Sequence, residues 1–239
     1  MSDFFRVLQK GKEYGSMIKA EQKPLDEILG FLEPYSKILL AGCNACVAVC
    51  HAGGEKEVGI LAAALKMARK KSLQKLEVVE DCSTRQCEPE FVDELGEKVE
   101  DVEAVLSIAC GVGVQTLAKR FSGVPVYPGV NTTFMGETEE LGVWVERCQA
   151  CGNCVLHLTG GLCPVARCAK QLLNGPCGGS QEGMCELKRD IPCVWQQIYD
   201  RLKAIGQLHR MEQFIPAKKW GTESRDSGPR SILREDLKL

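Results

Sequence analysis

From Lys37 onward, short apolar runs alternate with longer stretches whose apolar residues recur every three or four positions. Lys37–Ala41 (KILLA) reads as a buried strand, and the stretch from about Glu57 to Lys70 as a helix with Leu61, Leu65 and Ala68 on one face. Leu76–Glu80 (LEVVE) is a second strand, after which Pro89 opens a helix with Phe91, Leu95 and Val99 in line. Ala104–Ala109 (AVLSIA) is a third strand, followed by a helix through Val114, Leu117 and Phe121, and Val124–Tyr127 (VPVY) is a fourth. Strand–helix alternation with short connections predicts an α/β domain built on a small, mainly parallel sheet. Ahead of it, residues 1–23 are polar and mixed, an arm or a short capping segment. Pro24 introduces a helix through Leu25, Ile28, Leu29 and Leu32 that ends before Pro34.

Near Glu146 this pattern stops. Strand periodicity gives way to a stretch dominated by Gly and Cys, interrupted by a helix near Ala166–Leu173 and closed by a longer one from about Val194, with Val194, Ile198, Leu202 and Ile205 on one face. Beyond Pro216 the chain is polar, with six basic and four acidic residues, and reads as disordered or as an arm that orders on a partner, for which Phe214, Ile215 and Trp220 would serve. The expected organisation is an arm and helix over 1–34, an α/β domain over 35–145, a cysteine-rich, metal-stabilised domain over 146–210 with its carboxy-terminal helix, and a tail over 211–239 that could dock a partner.

Composition narrows the function classes. A net charge of −2 and a pI near 6.0 argue against a nucleic-acid surface. No stretch approaches the length of a membrane span, and the amino-terminal segment lacks an apolar signal core, so a cytoplasmic protein is expected. Reducing compartments disfavour structural disulfides, which directs attention to metal for the 14 cysteines.

They form two groups. Cys43 and Cys46 follow the first predicted strand, with Cys50 close behind; Cys82 and Cys87 follow the second and Cys110 the third. Ligands of open parallel sheets bind beyond the carboxyl ends of the strands, so three strand ends bring thiols to one edge. Cys43, Cys46 and Cys50 (C-x2-C-x3-C) reverse the order of the radical-SAM motif, and Cys110 is the natural fourth ligand, with Cys82 and Cys87 as alternates. The second group begins with C-x2-C-x2-C at Cys148, Cys151 and Cys154, the spacing of the first three ligands of a ferredoxin-type cluster. Gly152 and Asn153 suit the positive dihedral angles of such a loop, and Cys163, followed by Pro164, is the nearest fourth ligand. Cys168, Cys177, Cys185 and Cys193 could make a further four-thiolate site. So little apolar surface accompanies this group that metal ligation must supply folding energy. Thiolate-rich sites select iron–sulfur clusters or zinc.

Other marks are weaker. Gly111-Val112-Gly113 could face a phosphate, but the third glycine of a dinucleotide fingerprint is missing and a simple strand-to-helix turn accounts for it. His51 and His157 adjoin cysteines without being needed as ligands, and His209 reads as surface. No catalytic constellation emerges.

Two segments resemble a known family. Cys163–Leu202 (CPVARCAKQLLNGPCGGSQEGMCELKRDIPCVWQQIYDRL), with Asn-Gly-Pro-Cys-Gly-Gly at 174–179 as its most specific signature, resembles the cysteine-rich domain named for the carboxyl terminus of some methylenetetrahydrofolate reductases, and Ala41–Leu65 is similar to the amino-terminal part of that family. The resemblance covers roughly residues 30–210. The chain as a whole is similar to the small subunit of two-subunit, acetogen-type reductases. This resemblance implies iron–sulfur clusters on the chain, with zinc also associated with such complexes. It implies a TIM-barrel partner whose FMN, absent from this chain, serves the reduction of methylenetetrahydrofolate to methyltetrahydrofolate. Electrons would come from a donor such as ferredoxin or a nicotinamide-linked module.

The expected function is therefore that of a non-catalytic electron-transfer subunit of an oxidoreductase complex in one-carbon metabolism, carrying two or more [4Fe-4S] clusters. A zinc-stabilised scaffold with redox-inert metals is the alternative. A free-standing redox enzyme with Cys82 or Cys87 as reactive thiol is a third possibility.

Overall fold

The computed structural model describes residues 17–140, 142–220 and 228–237, so most of the expected amino-terminal arm lies outside the described residues. The chain divides into two units, residues 1–145 and 146–239.

The first unit opens on a strand that hydrophobic patterning did not predict, β1 (Ile18–Gln22), followed by α1 (Leu25–Leu32), β2 (Lys37–Cys43), the single turn α2 (Cys46–Val49), α3 (Glu55–Lys71) and β3 (Glu77–Ser83). Then come α4 (Pro89–Asp93), α5 (Gly96–Glu100), β4 (Ala104–Ser107), α6 (Gly111–Arg120), β5 (Val126–Pro128), β6 (Val130–Glu140) and β7 (Val143–Cys148). β2, β3, β4 and β5 make the expected parallel sheet in the order β3-β2-β4-β5. β2 is apolar at every position from Ile38 to Ala41 because it is buried on both faces. Ile38 and Leu40 enter one core with Ile28, Leu32, Leu61 and Leu65, while Leu39 and Ala41 enter a second with Val92, Leu95, Val99 and Leu117. Helices therefore cover both faces of the sheet.

Three corrections concern this unit. The helix expected from Pro89 through Val99 is broken at Glu94–Leu95 into α4 and α5, and Val92 rather than Phe91 joins Leu95 and Val99 in the core. Residues 18–22, expected to belong to a polar arm, pair as β1 antiparallel to β6. β6 and β7 carry no apolar alternation because most of their side chains are exposed or half-buried; backbone pairing in a second sheet, β1-β6-β7, defines them.

The second unit contains the one-turn helix α7 (Pro164–Arg167) and α8 (Val194–Ala204). Val194, Trp195, Ile198 and Leu202 form its small core, against which Leu162, Cys168, Cys193 and Met211 pack. The helix expected over Ala166–Leu173 is only α7, since Cys168 is extended (φ −94°, ψ 122°) and Gln171 takes a positive φ of 53°. Ile205 caps α8 and is not on its buried face. Among the described residues, no helix is long and apolar enough to cross a membrane.

The start of β2 is fastened by Glu103, whose carboxylate accepts from the backbone N–H of Ser36 (2.5 Å) and Lys37 (3.0 Å) and from the Ser36 hydroxyl (3.0 Å). These bonds, the Ser36 N–H first, hold the Glu103 carboxyl below its ordinary value. A depressed carboxyl contributes stability that is present above the ordinary carboxylate range and lost as pH falls through the lowered value. Glu103→Gln should accordingly be less stable than the parent at neutral pH, and the gap should close in acid, as measured by denaturant unfolding over a pH series.

Candidate metal centres

The parallel sheet decides where the first cysteines go. Cys43 ends β2, Cys82 lies at the end of β3, and Cys110 caps α6 just past β4. Since β3 and β4 flank β2 on opposite sides, the carboxyl ends of β2 and β4 border a topological switch point, where ligands of such sheets bind. Here the gap is plugged by Gln86, which is fully buried. Its Nε2 donates to the carbonyls of Ala41 (3.1 Å) and Gly42 (2.8 Å), and its Oε1 accepts from the Ser107 hydroxyl (2.7 Å). Gly113 lets α6 close on this plug, because a Cβ there would stand 2.8 Å from the Cβ of Gln86. The glycine turn thus serves helix packing. Sequence reasoning missed Gln86, a single polar residue in a loop that no periodicity marks.

The plug sets its neighbour, Cys87, beside Cys110 and Cys43. Burial pushes the Cys43 thiol up against the opposing backbone N–H groups of Gln86 and Ala45, and the thiols of Cys110 and Cys87 raise it further. Burial likewise pushes Cys82 up to about 12, with Cys43 and the carboxylates of Glu55 and Asp81 adding to it. Cys87 is raised by burial and by Cys110. Four strand-end thiols therefore sense one another: Cys43, Cys82, Cys87 and Cys110. The last two members of the C-x2-C-x3-C run are placed differently. Cys46 is the half-buried first residue of α2. Cys50 is core, its Sγ accepting from the Ala20 N–H (3.4 Å) and lying 3.6 Å from the carbonyls of Ala20 and Val47. His51 stands edge-on to Trp144.

In the second unit, Cys148, Cys151, Cys154 and Cys163 all line one cavity of about 910 Å3. The loop that carries the first three turns through Ala150 (φ 50°) and Gly152 (φ 90°); Asn153, expected to share that role, has no positive φ. The Ala150 N–H points at the Cys148 sulfur (3.3 Å), and the Ala166 N–H at the sulfur of Cys163, which caps α7 (3.5 Å). Apolar wall is supplied by Val155, Leu156, Val165 and Ile232, and positive charge by Arg147, Lys218 and Arg230.

Of the remaining four cysteines, Cys185 and Cys193 adjoin a small turn closed by Gln181–Met184 and Met184–Pro192 bridges. Cys185 donates its N–H to Ile191 and Cys193 to Gly183 (3.0 and 2.7 Å). Cys168 and Cys193 pack on the α8 core, and Cys177 lies 3.9 Å from Glu186, itself paired with Lys170. The Gly179 N–H, and then the charge of Lys170, hold the exposed Cys177 thiol below its ordinary value. The Asn-Gly-Pro signature leads into Cys177 and is itself fastened to other parts of the unit. Asn174 exchanges two hydrogen bonds with the backbone of Ile215 (2.8 and 2.7 Å), and Gly175 leaves room for Trp195, whose ring would stand 2.4 Å from a Cβ there.

Among the described residues, no three His, Cys, Asp or Glu side chains are assembled closely enough to hold a metal ion as they stand. The donor sets could hold thiophilic metal: four thiols at the strand ends, four around the cavity, four about the turn.

Residues 127–221 match a family model described as methylene-tetrahydrofolate reductase C terminal. The matched stretch contains all eight later cysteines and stops short of the strand-end group, and it relates this part of the chain to methylenetetrahydrofolate reductases. No curated protein matches the chain.

Replacing Gln86 with Leu would take the buried Ser107 hydroxyl's acceptor away and remove one donor from each of the Ala41 and Gly42 carbonyls, at a cost of about 1–3 kcal/mol. Gln86→Leu is expected to lower the unfolding free energy by that amount, read in urea as a lower midpoint with an unchanged m-value.

Proposed function

We propose that the chain is the electron-transferring subunit of a methylenetetrahydrofolate reductase complex, with a [4Fe-4S] cluster on Cys148, Cys151, Cys154 and Cys163 and a second metal–thiolate centre at the strand ends. The observation that carries this is the cavity that those four thiols share, in the stretch related to the reductases. A cluster bound there would supply one-electron transfer at low potential. The chain's own residues would do the rest. The thiolates hold the metal, and the Ala150 and Ala166 N–H groups draw charge from two of the sulfurs. Cys148 and Cys154 are exposed, which would bring this edge near a partner's flavin. At the strand ends the proposed ligand set is Cys43, Cys82, Cys87 and Cys110, with Cys46 adjoining. The raised thiols of Cys43, Cys82 and Cys87 mean that metal would bind there with release of protons. The partner under this reading is an FMN-containing barrel, supplied with electrons by ferredoxin or a nicotinamide-linked module.

The turn that carries Cys185 and Cys193, with Cys168 and Cys177 beside it, favours structural zinc, since its short bridged backbone resembles the knuckles that hold zinc by thiolate pairs. Zinc at every site would instead make the chain a scaffold.

Protein purified without oxygen should contain iron and sulfide at cluster stoichiometry, with zinc in addition, and give a reduced-cluster EPR signal. Cys163→Ala should lose or convert one cluster while leaving the strand-end metal in place, as counted by iron analysis. Zinc alone, with no iron, would sink the electron-transfer reading.

A further inference from the structure

The polar segment after Pro216 reads in sequence as disordered or as an arm that orders on a partner; its described residues hold on to their own unit. Ile215, immediately before it, is clamped through N–H and carbonyl by the Asn174 side chain (2.7 and 2.8 Å). Lys218 donates its ammonium to the Asn153 carbonyl. Arg230 donates to the Ala150 carbonyl (2.9 Å). Asn153 and Ala150 bracket Cys151 in the ligand loop, so the tail grips the loop from both sides of that thiol.

Lys218 carries the stronger argument. It is only 7% exposed, lines the cysteine cavity, and is met among the described residues by a carbonyl and by no carboxylate. A buried ammonium without a counter-charge costs several kcal/mol. A partner is implied by its surroundings, because four thiolates on zinc or on an iron–sulfur cluster leave a net negative charge in that same cavity.

We propose that residues 215–218 form an intramolecular strap at the Cys148–Cys163 cavity, joined there by Arg230, and that Lys218 is the counter-cation of the metal–thiolate centre. This rests on the cavity being a metal site, though not on which metal fills it. Lys218 then acts as a positioning residue: it holds the loop through Asn153 and stabilises the charged form of the centre without ligating it.

The test uses the full chain as purified, with Cys151→Ser to identify the share of metal held in this cavity. Lys218→Met keeps the length of the side chain and removes its charge, whereas Lys218→Arg retains the charge. Release of iron or zinc to a chelator from Lys218→Met should be roughly 10- to 100-fold faster than from the parent. Lys218→Arg should stay close to the parent, and Arg230→Ala should fall between them. If iron is present, the midpoint potential of Lys218→Met should move to more negative values, since a nearby positive charge favours the reduced cluster. Circular dichroism separates these effects from unfolding. A folded Lys218→Met protein with parental release and potential overturns the strap while leaving the electron-transfer reading intact. Zinc with faster release supports the strap and removes electron transfer. A cavity that takes up neither metal overturns both.

Discussion

A parallel sheet brings the carboxyl end of every strand to the same edge, and that constraint governs the first unit. The β3-β2-β4-β5 order sends connections to both sides of β2, and the separation this opens between the strand ends must be filled by something. In nucleotide-binding sheets a ligand fills it; here the carboxamide of Gln86 does, joining β2 to Ser107 of β4. Cys43, Cys82, Cys87 and Cys110 are gathered because they follow strand ends or adjoin the plug, and no local motif is needed to explain their meeting.

The second unit works on the opposite principle. Its apolar core is one face of α8 plus a few neighbours, too small to order some ninety residues by burial alone. Side chain-to-backbone bonds take over much of the holding: Asn174 on Ile215, Trp195 on Leu172, Lys218 on Asn153, Arg230 on Ala150. Its cysteines are correspondingly arranged by tight turns and short caps. A unit organised in this way suits thiolate ligation, because metal bonds tie together chain segments that lack enough oil to find one another.

How much of this was legible in the sequence follows from the same division. β2, β3, β4 and their helices were readable because Ile38–Ala41, Val78 and Ala104–Leu106 are buried and leave a hydrophobic trace. β1, β6 and β7 were not, since backbone pairing without a buried face leaves none. Spacing alone grouped Cys148, Cys151 and Cys154 and pointed to Cys163, which do share a cavity. It misdirected the strand-end group toward Cys50, whose neighbours are Ala20 and Val47, because the contact with β1 depends on a strand that patterning could not detect. Lys218 was invisible for a related reason, being one lysine in a polar tail.

The pair of hydrogen bonds between Asn174 and Ile215 places a chemical demand on the most distinctive motif of the chain. A single residue, Ile215, presents a backbone donor and a backbone acceptor together, and only a primary amide answers both from a single side-chain plane. Aspartate, identical in shape, would set a charged oxygen against the Ile215 carbonyl, and leucine would answer neither group. The asparagine that opens Asn-Gly-Pro-Cys-Gly-Gly is thus dictated by residues some forty positions away, and a motif that looks local is a long-range fastening written in six letters.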